Sequence, residues 1–462
     1  MLKAFSGVES PVKHDTLANF AISRLARSPD ADSAPVRVDD GMPSVIMGPA
    51  DVLVAGALAV DYSCDYAPFS DQRNTPQMNT SNPARITQSL GGVAHNVAKA
   101  AHYLGADVKL LSLVGDDLDG RSARHRLEDE GMRVDGIEVC AGADARTARY
   151  VAINDAKKDL VMAMADMNLL NSHGESYIRD VWEPEMRQNG SLWFVADANW
   201  EPRILHNLFA SASSAKCLTA LEPVSVAKGS RLFKRLPRDT PGPKELTVFP
   251  ENTIDLMTPN AMELAAMHTV ARDEGLLEEQ QWWKVIDELG IPSSGIRSRL
   301  VDVSSKKVVD QGIPQQAIQL LPFVPCIATK LGAEGVLLTM MLQKGDPRLH
   351  SQDAAPYIIS RNSAPSEIGV AGVYMRLYPP VARLADDEIV SVNGVGDTFL
   401  GALIAAMQQT GKGIEELIDF AQEAALLSLQ SAASVSPELR RKQMRKTTSV
   451  SATSPQFQMS GR

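Results

Sequence analysis

Short apolar runs rich in β-branched residues alternate along the chain with longer segments whose apolar residues recur at helical spacing. The short runs predict strands, and the longer segments predict helices that pack one face on a sheet. This alternation is typical of βαβ units on a mostly parallel sheet, so we expect an α/β fold. The candidate strands are residues 52–56, 108–114, 192–197, 254–257, 325–329 and 336–339.

Two helices and one strand pair are predicted in more detail. The apolar faces of the helices are formed by Val93, Val97, Ala101 and Leu104 and by Leu400, Leu403, Ile404 and Met407. Residues 147–153 and 160–164 predict two strands joined by the polar turn 154–159. We expect this pair to form a small lid.

The same patterns divide the chain into three parts. Residues 1–50 are mixed and polar with several prolines, and we interpret them as a tail that is disordered or the remnant of a fusion. Residues 51–440 carry the alternating strands and helices, and residues 441–462 form a C-terminal tail. Two stretches rich in proline, serine and charge, 225–250 and 340–385, are expected to be surface insertions.

Charge and composition narrow the function classes. The formal net charge of -10 and the pI near 5.4 disfavour a general binder of nucleic acid or of an anionic membrane, because those partners attract basic surfaces. Four dispersed cysteines indicate neither a zinc site nor a disulfide framework. The chain also lacks an apolar run long enough to cross a bilayer. We therefore expect a cytoplasmic protein that acts on a small soluble ligand.

The strongest local pattern is Asn-Gly-Val-Gly-Asp-Thr-Phe at residues 393–399, just before the second apolar-periodic helix. Glycines at a helix start let free backbone N–H groups approach an anion at the positive end of the helix dipole. Asp397 at the same helix start could accept a proton from an attacking hydroxyl group. The alternative is a simple turn with an aspartate N-cap, and this motif alone does not decide between them.

A second pattern is Gly-Gly-Val-Ala-His-Asn-Val-Ala at residues 91–98. Gly91 and Gly92 again permit close backbone approach, and Asn96 offers a donor and an acceptor to a hydroxylated ligand. In isolation, a strand-to-helix turn would be the preferred interpretation.

Together, in this order and at this separation, the two patterns resemble the two signature regions of the ribokinase-like (PfkB) carbohydrate and nucleoside kinases. The resemblance implies a ribokinase-like, three-layer α/β/α Rossmann-like fold with a mostly parallel central sheet and a small β-strand lid. It implies Asp397 as the catalytic base and an anion hole formed by Gly394, Val395 and Gly396. ATP and Mg²⁺ are the implied cofactors.

The resemblance also implies further site residues. Those implied for substrate binding are Asp61, Asn82, Gly91, Gly92, Asn96, Asp197 and Asn199. Those implied for nucleotide binding are Asn260, Thr329, Lys330, Gly332 and Gly335, and those implied for Mg²⁺, through water, are Asn260 and Glu263. Asn-x-x-Glu is equally a helix capping box, which is the alternative for the last pair.

Two positions depart from the family pattern. Lys330 stands where threonine is common, and we favour an outward-facing lysine over an extra phosphate contact. Ser391 stands where many members have aspartate, so a monovalent cation beside the anion hole is left open.

Four short matches resemble the pseudouridine kinase branch: 80–86 with 90–96, 150–153 with 163–167, 197–199, and 222–228. They imply a lid over a nucleoside and phosphorylation of its 5′ hydroxyl. Ribose, adenosine or fructose as acceptor, part of a pseudouridine-5′-phosphate glycosidase/kinase system, and a catalytically silent binding protein stay open as alternatives. Lid strands in this family often pair between subunits, which implies a homodimer through the lid.

Overall fold

The computed structural model describes residues 50–68, 74–142, 144–189, 193–237, 239, 240, 242, 243, 245–362 and 366–442. The expected tails, 1–50 and 441–462, lie almost wholly outside these residues. The strands are β1 (Val52–Ala55), β2 (Ala59–Tyr66), β3 (Ala84–Gly91), β4 (Val108–Gly115), β5 (Ile137–Cys140), β6 (Ala148–Asn154), β7 (Leu160–Asp166), β8 (Trp193–Asp197), β9 (Leu218–Glu222), β10 (Leu256–Met257), β11 (Cys326–Lys330), β12 (Val336–Gln343), β13 (Ile358–Arg361) and β14 (Val370–Tyr378).

The helices lie between and after these strands. They are α1 (Val93–Tyr103), α2 (Leu118–Asp129), α3 (Leu169–Tyr177), α4 (Glu183–Asn189), α5 (Pro202–Ser214), α6 (Val226–Gly229), α7 (Ala261–Asp273), α8 (Gln280–Glu288), α9 (Ile296–Val303), α10 (Lys306–Asp310), α11 (Ile313–Leu320), α12 (Val395–Thr410) and α13 (Ile418–Leu429). A π-helical turn, Ile178–Trp182, joins α3 to α4. None of the helices in the described ranges is long and apolar enough to cross a membrane.

The main sheet has the strand order β13-β14-β12-β11-β10-β9-β8-β1-β4-β5. Neighbours from β11 through β10, β9, β8, β1 and β4 to β5 are parallel, whereas β11–β12, β12–β14 and β14–β13 are antiparallel. The parallel strands therefore all end at the same edge of the sheet, where ligands bind in open α/β folds.

Helices cover both faces of this sheet. In β1, Leu53 and Ala55 belong to a buried cluster with α5, α7 and α11, while Val52 and Val54 belong to a second cluster with α1, α12 and α13. A central strand with both faces buried reads as a continuous apolar run, which explains the β1 sequence Val-Leu-Val-Ala. The predicted three-layer α/β/α fold is confirmed.

A separate four-stranded sheet, in the order β3-β2-β6-β7, forms the predicted lid. The pair β6–β7 is the strand pair predicted from its polar turn. Strand β2 follows β1 after three residues, so the chain leaves the main sheet and enters the lid directly beside the candidate site. Most lid residues are exposed or only half-buried, because one sheet alone does not bury its own faces.

The expectation that residues 340–385 form a surface insertion is wrong. This stretch includes β13 and β14, and β14 lies inside the main sheet between β12 and β13. Val370, Val373 and Met375 are buried in the same core cluster as α8 and α9. The other expected insertion, 225–250, also packs on this cluster through Leu232, Phe233 and Phe249 in its described part.

Candidate active site

Asp397 lies in the first turn of α12, at the edge where the parallel strands end. Gly394 caps the helix with φ 73°, a left-handed conformation, and a side chain there would collide with the backbone of Ser434. The Thr398 N–H donates to the Gly394 carbonyl (2.8 Å). The N–H groups of Val395, Gly396 and Asp397 have no carbonyl acceptor within the described residues, as expected for a helix start. Val395 and Gly396 are two of the three residues expected to form the anion hole with Gly394, and that role stays a prediction.

Helices α1 and α12 pack closely enough to join the two motifs. Gly401 of α12 faces the Val97 carbonyl and the Ala100 side chain of α1, and any side chain at Gly401 would collide with them. At the heads of these helices, Asn96 Nδ2 donates to Asp397 Oδ2 (2.8 Å). Residues 301 positions apart in sequence therefore share one buried contact.

The start of α1 brings Asp61 into the same region. Gly92 has φ 97°, and a side chain at Gly92 would collide with the Ala57 carbonyl. A side chain at Gly91 would overlap the Asp61 carboxylate, which extends from lid strand β2. Burial raises the pKa of Asp61 to about 6. The two glycines thus make room for a carboxylate at the junction of lid and core.

The ends of four neighbouring strands supply polar side chains to the site. Asp197 ends β8, Glu222 ends β9, Thr258 follows β10 and Lys330 ends β11. Lys330 Nζ lies 2.8 Å and 3.1 Å from the two Glu222 carboxylate oxygens, and Thr258 Oγ1 donates to Glu222 Oε2 (2.6 Å). The Lys330 side chain is only 17% exposed. The expectation of an outward-facing lysine is therefore wrong.

Asp197 is almost fully buried and is occupied by backbone donors. Its Oδ2 accepts from the N–H groups of Ala57 (3.0 Å) and Ala94 (2.9 Å), and its Oδ1 accepts from the Asn199 N–H (3.0 Å). These bonds fix the end of β8 to the first turn of α1. Asn199 Oδ1 in turn accepts from Lys228 Nζ (2.7 Å). Asp197 therefore holds the end of β8 to α1, and its predicted contact with the substrate stays a prediction.

The electrostatics of Asp397 suit a proton acceptor. Burial, followed by the negative charge of Glu222, raises its pKa to about 7, with a further contribution from Asp197. The amide of Asn96 and the ammonium of Lys330 oppose this rise. A carboxylate with a pKa near neutrality takes up a proton readily and releases it again at physiological pH.

Asn260 and Glu263 form a reciprocal capping box at the start of α7. Asn260 Oδ1 accepts from the Glu263 N–H (2.9 Å), and Glu263 Oε2 accepts from the Asn260 N–H (2.8 Å). Within the described ranges, Glu263 Oε1 has no protein partner, and an oxygen donor of this kind suits Mg²⁺ held through water. No cluster of three or more His, Cys, Asp or Glu side chains that could hold a metal occurs in the described part of the chain. The observed capping box is the alternative weighed for this pair, and a role in holding Mg²⁺ through water stays a prediction.

The loop after β11 has the form expected of a close backbone approach. Gly332 and Gly335 have φ 58° and 91°, and a side chain at Gly335 would collide with the Tyr378 carbonyl. Thr329 is buried, and its Oγ1 has no partner among the described residues. The positions of these residues beside Lys330 are compatible with nucleotide binding, which stays a prediction.

The sequence model of the pfkB family carbohydrate kinases matches residues 51–284 and 379–440. The chain belongs to this family. It is therefore a phosphotransferase that acts on a hydroxyl group.

Two relatives are similar to this chain over part of their length. It is 29% identical to the pseudouridine-metabolizing bifunctional protein of Schizosaccharomyces pombe over 396 residues, which are 85% of this chain and 47% of that protein. It is 27% identical to the pseudouridine kinase of Escherichia coli over 227 residues, which are 49% of this chain and 61% of that protein. The matches thus span about half to three-fifths of the length of these relatives.

Solved structures agree on the fold. The ribokinase of Arabidopsis thaliana, complexed with ribose and ATP, has a TM-score of 0.55 at 16% identity, covering 86% of this chain and 98% of that one. The ribokinase of Thermotoga maritima has a TM-score of 0.53 at 15% identity, covering 85% of this chain and 98% of that one. At such identities the likeness shows the fold alone.

One predicted site residue lies apart from the others. The side chain of Asn82 is used within its own loop, where it bonds the backbone of Gln77 and Thr80. Among the described residues it contacts no other member of the kinase site. Its role as a substrate ligand stays a prediction.

Sequence reasoning did not assign a role to several polar residues that the structure brings to the site. Glu222 and Lys228 lie in residues 222–228, a stretch that resembles the pseudouridine kinase branch but whose individual side chains were given no role. Asp119 accepts from the Tyr62 hydroxyl (3.1 Å) in β2 and from Arg149 Nε (2.6 Å) in β6, and so ties the lid to α2. The motif Gly-Asp-Asp-Leu-Asp-Gly at residues 115–120 is the sequence feature that could have pointed to Asp119.

Proposed function

We propose that this kinase transfers the γ-phosphoryl group of ATP to the 5′ hydroxyl of pseudouridine. The observation that carries the proposal is the buried contact between Asn96 and Asp397, which joins the acceptor-side helix to the free amides of α12. The choice of pseudouridine among possible acceptors is supported by the two relatives whose names include it.

The proposed mechanism is an in-line transfer. Asp397 accepts the proton of the attacking hydroxyl, while the N–H groups of residues 395–397 stabilise negative charge on the transferred group. Asp61 accepts hydrogen bonds from hydroxyl groups of the sugar and so orients it. Asn260 and Glu263 would hold Mg²⁺ through water, and the ion would supply neutralisation of the phosphate charge.

A panel of acceptors tests the substrate assignment. ADP release would be measured with pseudouridine, uridine, adenosine, ribose and fructose at equal concentration. We expect kcat/KM to be largest for pseudouridine, with formation of pseudouridine 5′-phosphate. A larger kcat/KM for any other member of the panel would overturn the assignment of pseudouridine and keep the assignment of a kinase.

The pH dependence of the reaction tests the base. Because Asp397 must be ionised to accept a proton and its pKa is about 7, we expect kcat/KM for the acceptor to rise with pH through about 7 and then level off. The measurement is a profile between about pH 5 and pH 9 at saturating ATP, so that ionisation of the free nucleotide does not contribute. A profile without this acid limb would contradict the role of Asp397.

We also propose that the lid pairs with the lid of a second copy. The lid carries large exposed apolar side chains, including Ile86 (63%), Leu160 (58%) and Met164 (56%). Strands β3 and β7 are the two edges of its sheet in the described part of the chain. We expect light scattering to show a dimer that Met164→Glu converts to a monomer; a monomeric wild-type protein would contradict this.

A further inference from the structure

A buried ion pair lies beside the start of α12. Lys330 and Glu222 have side chains that are only 17% and 5% exposed, and both Glu222 oxygens lie within 3.1 Å of the Lys330 ammonium. Thr258 adds a third bond, since its hydroxyl donates to Glu222 Oε2. Three adjacent strand ends, those of β9, β10 and β11, therefore hold one ammonium group in place.

The ammonium lies beside the helix start that carries the free amides. Lys330 Nζ lies 2.8 Å from the point that a Cβ atom would occupy on Gly396, the second residue of α12. Glu222 Oε1 lies 3.8 Å from the same point. A side chain larger than hydrogen at residue 396 would displace the lysine, so the glycine leaves room for a cation as well as for a ligand.

The charges at this point are not arranged for stability alone. The start of a helix carries the positive end of its dipole, and a second positive group beside it is unfavourable unless a negative group lies close to both. Glu222 and Asp397 supply negative charges here, but among the described residues neither carboxylate accepts a bond from the free N–H groups of α12. A phosphoryl group bound to those amides would lie next to the ammonium and could accept a bond from it.

We propose that Lys330 binds the phosphoryl group that is transferred at the start of α12, and that Glu222 and Thr258 position its ammonium group for this contact. This inference rests on the proposed kinase reaction and adds a side-chain cation to its backbone anion hole. Lys330 is a binding residue for the transferred group, and Glu222 is a positioning residue.

The competing explanation is that the pair only ties the strand ends together. Removing one partner of a buried pair leaves the other charge uncompensated, so Lys330→Met alone could fail through instability. The double variant Lys330→Met/Glu222→Gln removes both charges and keeps both shapes. It separates the two explanations, because a purely structural pair can be replaced by neutral groups at little cost.

Nucleotide affinity provides the first readout. Calorimetry with the full chain would compare the affinities for ATP and ADP, each with Mg²⁺. In the double variant we expect the ATP affinity to fall by about tenfold or more, and the ADP affinity to fall much less, because only ATP carries the group that Lys330 contacts. Equal losses for ATP and ADP, or no loss, would overturn the inference.

Turnover and matched variants provide the second readout. Lys330→Arg should keep part of the ATP affinity and of the kcat that the double variant loses, since arginine keeps the positive charge. Lys307→Met is the matched control, because Lys307 pairs with Glu334 of the neighbouring loop (2.9 Å) but is 63% exposed. We expect this control to leave both nucleotide affinities unchanged. An arginine variant no better than the double variant would count against a charge contact.

The pH profile tests Glu222 as a positioning residue. The groups that act on Asp397 are Asn96, Glu222, Lys330 and Asp197. In Glu222→Gln we expect a lower kcat together with an acid limb displaced to lower pH, because a negative charge that disfavours ionisation of Asp397 has been removed. If kcat fell while the acid limb of the pH profile stayed unchanged, Glu222 would act only through packing, and its positioning role would be overturned.

The two proposals fail in different ways. If the wild-type protein phosphorylates none of the acceptors, the proposed function is wrong, but the comparison of ATP with ADP still decides the role of Lys330. If the wild-type protein is active and the double variant keeps the wild-type preference for ATP, only the inference about Lys330 is wrong.

Discussion

Asp397→Asn is expected to abolish nearly all turnover while leaving the fold intact. Loss of a general base typically lowers the rate by a factor of about 10²–10⁴, and asparagine cannot accept the hydroxyl proton. The substitution preserves the shape of the side chain, and its carboxamide oxygen can accept the bond that Asn96 Nδ2 now donates to Asp397. The measurement is kcat for pseudouridine phosphorylation, together with a thermal unfolding curve.

The difference in stability between the wild-type protein and this variant should depend on pH in a defined direction. Burial raises the pKa of Asp397 to about 7, so its favourable contribution is fully present below pH 3.8, the ordinary value, and is lost as the pH rises through 7. At pH 8 the wild-type protein carries a buried charge that asparagine removes, and we expect the variant to have a higher Tm there. Asp353→Asn, at an exposed aspartate, is the control for both measurements. A variant with wild-type kcat would refute the base assignment.

Asp61→Ala is expected to impair binding of the acceptor more than the chemical step. Hydrogen bonds between a carboxylate and hydroxyl groups contribute about 1.5–3 kcal/mol each, so we expect KM for the acceptor to rise by about 10- to 100-fold. The KM for ATP should change little, because Asp61 lies at the junction of lid and core, next to Gly91. Steady-state kinetics with each substrate varied in turn would measure this.

A matched control for Asp61 is available in the same strand. Asp65 also lies in β2, but its carboxylate accepts bonds from Ser63 and from Asn154 of the neighbouring strand β6. Asp65→Ala should therefore weaken the lid sheet without a specific effect on acceptor KM. If the two variants raised KM equally, Asp61 would be acting through the lid, and its assignment as a ligand would fail.

The parts of the fold that were predictable from sequence are those whose pattern is local. The apolar faces of α1 and α12 repeat within a few residues, and the polar turn between β6 and β7 separates two regular runs. Strand β14 was missed because Gly372 and Arg376 interrupt its apolar run and polar residues flank it. Arg376 is accommodated by stacking on the rings of Tyr357 and Tyr378, a contact that sequence spacing does not reveal.

The site residues also divide into those that a local sequence pattern predicts and those that it does not. Asp397, Gly394 and Gly396 could be predicted because one heptapeptide contains both the free amides and the carboxylate. The orientation of Lys330 could not, because its partner Glu222 lies 108 residues earlier and meets it only through sheet order. In the same way, no local pattern shows that Asn82 bonds its own loop.

The close packing at Gly401 restricts how this kinase can move. Since α1 and α12 touch at backbone distance and their first turns are joined by Asn96 and Asp397, neither helix can slide along the other without breaking a buried contact. The first turns of α1 and α12, with Asn96 and the free N–H groups of residues 395–397, should therefore move together as one rigid unit. Opening and closing for substrate exchange would fall to the four-stranded lid, which Asp119 ties to α2.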